Sequence, residues 1–185
     1  MKEFYDFGQW KTTDRIASIG CGYGWWEVSL CLHYPAQHIT LVDPLVEQED
    51  IQESIDYFTE KTGLVWKTGV ALNPENWQNQ DQIWVFNAWH EFEDRGEMLA
   101  KIKNALNEGG LVIIEEEISK EERLQHDGCG KDLFFEPEII DEFTQAGLHY
   151  VATQVKDEVA VYLKFGKRKW FFSLNKNLFA NLQRN

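Results

Sequence analysis

The sequence predicts an α/β protein: a three-layer, doubly wound, mostly parallel seven-stranded sheet that ends in an antiparallel hairpin. Three observations predict it. Strand-like and helix-like apolar patterns alternate through five units, which calls for right-handed crossovers and a parallel sheet. The last two β-rich runs, "LHYVATQV" and "VAVYLKF", are separated only by "KDE", too short for a crossover helix, so they pair antiparallel. In "RIASIGCGYGWWEVSL" an apolar run enters three glycines at alternating positions, as chains do where a strand end approaches a ligand.

Along the chain, Arg15–Ile19 reads as a short buried strand and Trp25–His33 as a helix, with at least one of Trp25 and Trp26 expected in the core. "HITLVD" is the second strand. Ile51, Ile55 and Phe58 recur at helical spacing, and Gly63 ends that helix as a C-cap. "LVWKTGV" reads as the third strand and "QIWVFN" as the fourth. Met98, Leu99, Ile102 and Leu106 form the next helical stripe, stopped by Gly109 and Gly110, and "LVIIEE" is the fifth strand. Pro137 suits a first helical turn, where its missing N–H costs little. Ile139, Ile140 and Phe143 line that helix, and Gly147 ends it.

With 185 residues the chain reads as a single domain over 1–185, able to bury roughly 70% of its unfolded surface. Residues 1–13 form a short aromatic N-terminal extension (Phe4, Tyr5, Phe7, Trp10) placed to cover a ligand; residues 168–185 form a basic tail. No apolar run approaches the length of a membrane span, and the first residues lack the plan of a signal peptide. Three scattered cysteines, Cys21, Cys31 and Cys129, suit reduced thiols in a cytoplasmic protein better than a disulfide framework. A net charge of −13 argues against a general nucleic-acid binder, because phosphate contacts supply most of that affinity.

The glycine loop excludes two ligand classes. A dinucleotide fingerprint needs a third glycine where Trp25 stands, and no Gly-Lys-Ser/Thr succeeds it for a P-loop. The pattern is G-x-G-x-G. The second strand ends in Asp43, 19 residues after Gly24. A carboxylate there suits both hydroxyls of a ribose; its other reading is a turn residue before Pro44.

With these residues in place, the sequence resembles the class I S-adenosylmethionine-dependent methyltransferases. "IASIGCGYG" is similar to their first motif, "LVDP" to their second and "QIWVFNAWHEF" to the fourth-strand region. "MLAKIKNALNEGGLVIIEE" is similar to their next helix, glycine pair and fifth strand, and the terminal hairpin separates these proteins from dinucleotide folds. The resemblance covers residues 15–167. It implies S-adenosylmethionine as cofactor, bound by Ser18, Gly20, Cys21, Gly22 and Gly24 at the first strand end, Asp43 and Pro44 at the second, Ala71 at the third and Asn87 at the fourth. Two family features are absent: an acid in the first strand, where Ser18 stands, and an acid after the third, where Asn73 is the nearest polar residue before Glu75.

Methyl transfer from a sulfonium is an in-line displacement that alignment and desolvation accelerate. A base helps with a hydroxyl or protonated amine. His90, in "NAWHEFED", reads as that base or as a packed helix-entry residue. "NAWH" lacks the two prolines of the adenine-amino methyltransferases. In "EEEISKEER" alternation points Glu115 and Glu117 one way and Glu116 the other; Glu117 is the candidate, against a solvated acidic turn. "LQHDGCGKDLFF" reads as a lid over the acceptor, with His126 and Cys129 facing inward and His126 serving catalysis. Two ligands three residues apart are half a zinc site, and no metal is assigned. The expected activity is methyl transfer to a small-molecule acceptor, with no membrane partner. The alternatives are a protein or RNA methyltransferase docking through the basic tail, and a non-catalytic S-adenosylmethionine-binding domain. The sequence leaves the oligomeric state open.

Overall fold

The computed structural model describes residues 1–167; the basic tail at 168–185 lies outside the described residues. Seven strands form one sheet in the order β3-β2-β1-β4-β5-β7-β6. Strands β1 (Arg15–Ile19), β2 (His38–Val42), β3 (Gly69–Leu72), β4 (Gln80–Phe86) and β5 (Leu106–Glu117) are parallel. Strand β7 (Ala160–Gly166) inserts antiparallel between β5 and β6 (His149–Val155), as the short "KDE" connection requires. The order reverses between β1 and β4, which makes the carboxyl ends of those two strands the natural ligand site.

Alternation along the central strands feeds two cores. Ile16, Trp84, Phe86 and Ile113 face one side, where α1 (Lys2–Gly8), α2 (Trp25–His33) and α3 (Gln48–Thr62) pack. Ala17, Ile83, Val85, Val112 and Ile114 face the other, under α4 (Arg95–Ala105) and α5 (Glu136–Gln145). Both faces of the sheet are covered, so its strands read as apolar runs.

Four local expectations are corrected. The aromatic N-terminus is helix α1 and belongs to the core: Phe4, Phe7 and Trp10 are buried, and Phe4 meets the rings of Trp84, Phe86 and Tyr162. The third strand begins at Gly69, because β2 offers partners only from His38 onward and Gly69 is its first match, leaving Leu64 and Val65 exposed. Helix α4 ends at Ala105; Leu106 turns extended (ψ 137°) and pairs with Gln80, and residues 107–110 bulge opposite Asp81. Neither Trp25 nor Trp26 is core: each is about half exposed, Trp25 on Tyr57 and Phe58, Trp26 beneath the Lys156 ammonium.

Candidate cofactor and acceptor site

The loop after β1 is anchored by the Gly20 N–H, which donates to the Val42 carbonyl at 2.8 Å. A Cβ on Gly20 would stand 2.7 Å from the Ala88 Cβ, so only glycine lets this loop pass the segment after β4. Gly22 differs. Its φ is +50° and a Cβ there would meet nothing within 4 Å, so this backbone borders open space. Gly24 is the N-cap of α2.

Asp43 closes the other side. One carboxylate oxygen accepts the Gly22 N–H at 2.9 Å and the other the Leu45 N–H at 3.0 Å. The turn reading is therefore real, yet each oxygen keeps a lone pair for a hydroxyl. Pro44 stands in that turn, beyond the strand. Asn73 accepts the Asp43 N–H at 2.8 Å and donates to the Asp43 carbonyl at 2.6 Å. It clamps the end of β2. Ala71 pairs with Thr40 on the edge strand β3, two residues before Asn73.

An acid on α2, Glu27, lies against Ser18 of β1. Ser18, fully buried, donates its hydroxyl to Glu27 Oε1 at 2.6 Å. Burial pushes the Glu27 carboxyl up to about 7, with Asp43 and Glu115 adding repulsion. The Cys21 side chain packs into the core, and burial pushes its thiol well above the usual range.

A second cluster of polar side chains is built at the ends of β4 and β5. The Asn87 N–H donates to the Glu115 carbonyl at 2.7 Å, its Oδ1 accepts the Glu117 N–H at 3.2 Å, and its Nδ2 lies 3.1 Å from His126 Nε2. A single 3-10 turn, Trp89–Glu91, comes next. Glu116, buried, accepts the Trp89 N–H at 3.0 Å with one oxygen and binds His90 Nδ1 with the other. Burial pulls the His90 pKa down, but Glu116, and to a lesser degree Cys129, together outweigh it and the net direction is up. His90 Nε2 is buried and makes no hydrogen bond.

The connection between β5 and α5 docks on this turn. Gly130, at φ +69°, closes a tight turn through its N–H to the His126 carbonyl at 2.8 Å. Lys131 Nζ donates to the Glu91 carbonyl at 2.7 Å. The His126 and His90 rings then lie 4.6 Å apart, with Cys129 Sγ 3.3 Å from His126 Nδ1.

Of the catalytic candidates, His90 and His126 are thus brought together, and Glu117 stands beside them through the Asn87 contact. The acidic run is not a solvated turn at Glu115 and Glu116, which are both buried; Glu115 pairs with Lys156. Sequence reasoning passed over Glu27 and gave Glu116 no role. A lone acid inside the apolar helix run "WWEVSLCLH" was the available signal for Glu27. For Glu116 there was none, since its partner His90 lies 26 residues away.

No family model matches the sequence, and no curated protein sequence does either. Solved structures share the fold. A SAM-dependent methyltransferase from Aquifex aeolicus aligns with a TM-score of 0.67 at 15% identity, over 90% of this chain and 88% of that one. The 1,6-didemethyltoxoflavin-N1-methyltransferase of Burkholderia thailandensis, with its substrate and S-adenosylhomocysteine bound, aligns at 0.62 and 18%, over 83% and 71%. The [4+2]-cyclase SpnF aligns at 0.65 and 16%, over 83% of this chain; the chain spans 57% of that protein. The fold is that of the class I S-adenosylmethionine-dependent methyltransferases. The cyclase shows that this fold alone does not fix the reaction.

Proposed function

We propose that this chain transfers a methyl group from S-adenosylmethionine to a small-molecule acceptor. One observation carries the reading: the open cradle at Gly22 faces a carboxylate, Asp43, whose two oxygens are already held in place. The residues present fit the cofactor. Backbone at Gly20, Gly22 and Gly24 would admit its methionine and adenosyl portions, and Asp43 would accept its ribose hydroxyls. The Ser18–Glu27 pair supplies a carboxyl group behind the loop. Asp43 and Glu115 each add repulsion at the Glu27 carboxyl. Such a field suits a sulfonium and an ammonium and opposes a pyrophosphate.

When bound, this cofactor supplies a methyl group already activated on sulfur. The chain's own part is to orient the two reactants and exclude water. His90, Glu117 and His126 border the acceptor side, next to Asn87. The small-molecule substrate and bound S-adenosylhomocysteine named for a structural relative support this acceptor class.

The test is transfer of labelled methyl from S-adenosylmethionine to metabolite, protein and RNA pools, with calorimetry of cofactor binding. Label in the metabolite pool is expected. Label only in protein or RNA would change the acceptor class, and cofactor binding without transfer would leave a binding domain. Tight NAD binding with no heat from S-adenosylmethionine would end the reading.

A further inference from the structure

We propose that His90, Glu91, His126 and Cys129 bind a zinc ion that pins the connection between β5 and α5 to the end of β4. One ligand atom from each of the four residues lies within 4.8 Å of the other three. Tetrahedral zinc with nitrogen, oxygen and sulfur ligands places its donor atoms about 3.4–3.6 Å apart. Here His126 Nδ1 and Cys129 Sγ are 3.3 Å apart, and His90 Nε2 and Glu91 Oε1 are 3.8 Å apart. Closing on a metal therefore needs shifts of a few tenths of an ångström at these pairs and of about 1 Å at the widest separation, 4.8 Å.

The surroundings of His90 are those of a ligand. A metal-bound imidazole donates its other N–H to a carboxylate, which fixes the tautomer and turns the free nitrogen to the ion. His90 Nδ1 meets the buried Glu116 carboxylate, and its Nε2 is a buried nitrogen without a hydrogen bond, aimed at the cluster. A Cys–His–Asn hydrogen-bonded chain through Cys129, His126 and Asn87 would account for three of these groups but leave that nitrogen unexplained. Zinc accounts for all of them. Imidazole with thiolate is a donor set that selects zinc over magnesium or calcium. Metal on His126 Nδ1 leaves the proton on Nε2, so Asn87 must turn its oxygen to that ring and give up the 3.2 Å bond from Glu117.

Zinc joins two segments that otherwise meet through few bonds, and it withdraws His90 and His126 from proton transfer, leaving Glu117 at the acceptor side. Metal content is read without any acceptor, so zinc binding stands or falls independently of methyl transfer.

The experiment uses the full chain, free of any affinity tag, loaded with zinc or with cobalt(II) as a spectroscopic substitute. The expected results are one metal per chain after desalting, a raised melting temperature, and a cobalt–thiolate charge-transfer band. Zinc should also slow tryptic cleavage at Arg123 and Lys131. Loss of an outer partner alone costs metal sites about 10–100-fold in affinity, so Cys129→Ser should cost more than about tenfold and abolish the thiolate band. His126→Gln should behave likewise. Both side chains lie outside the core, so these variants fold even where His90→Gln does not. A wild-type chain that retains no zinc from an excess overturns the proposal. So does zinc retained equally by Cys129→Ser and His126→Gln, which would mark adventitious surface binding.

Discussion

Asp43 is held in the turn after β2, and the proposed function gives its carboxylate a second task. Its oxygens accept from Gly22 and Leu45 in the turn, and each keeps a lone pair for a further donor. Asp43→Ala should therefore weaken S-adenosylhomocysteine binding by about 1.5–3 kcal/mol, the usual worth of hydrogen bonds to a charged group. Calorimetry on the folded variant checks this, and unchanged affinity would leave Asp43 with the turn alone. Gly22→Val should lower affinity further, for two reasons. The β-branched side chain would fill the open space, and φ +50° is costly for any branched residue. Gly20→Ala tests the other kind of glycine: contact at 2.7 Å with Ala88 sets packing, so the loss there would appear in stability as well.

Helix α1 is a short element whose worth lies wholly in what it covers. Seven residues cannot hold a helix in isolation. Phe4 sits among Trp84, Phe86 and Tyr162 at centroid distances of 5.4, 4.7 and 5.5 Å. The buried Gln82 amide donates to the Gly8 carbonyl at 2.8 Å and accepts from Trp84 Nε1 at 2.9 Å, so the sheet carries polar groups that only α1 completes. Phe4→Ala should cost about 3–5 kcal/mol, the range for removing a buried aromatic ring. Denaturant unfolding measures it. A loss below about 1 kcal/mol would mean that α1 frays independently of the sheet.

At the scale of the whole molecule, stability should depend on pH through Glu27. Its carboxyl ionises near 4.5 when exposed and near 7 in the fold, where burial dominates. The folded state thus holds the extra proton between those values, and stability falls as pH rises through that window. The difference is on the order of 3 kcal/mol. Glu27→Gln keeps an acceptor for Ser18 and removes the titration. Its stability relative to the parent should climb from pH 4.5 to 7 and then level off. Parallel curves for the two proteins would show that Glu27 ionises normally. A bound cofactor carrying an ammonium group would lower this carboxyl's pKa and reduce the effect.

The sequence by itself determined the layers, the strand succession and the antiparallel end of the sheet, because these come from apolar periodicity and loop length. It also placed Gly20, Gly22, Gly24 and Asp43 at two adjacent strand ends, since glycine spacing and a strand-terminal acid are local signals. Boundaries were less legible where pairing decides them: β3 waits for a partner on β2, and Leu106 leaves its helix for Gln80. Only the tertiary structure assembled the cluster at the ends of β4 and β5. His90 and His126 are far apart in the chain, and no periodicity links a 3-10 turn after β4 to a glycine turn after β5. Tertiary packing likewise decided that Glu27 would meet Ser18, and that Glu116 would turn inward to hold His90. Such pairs are set by where strand ends converge in space, which depends on the crossovers as a whole and on no single stretch of residues.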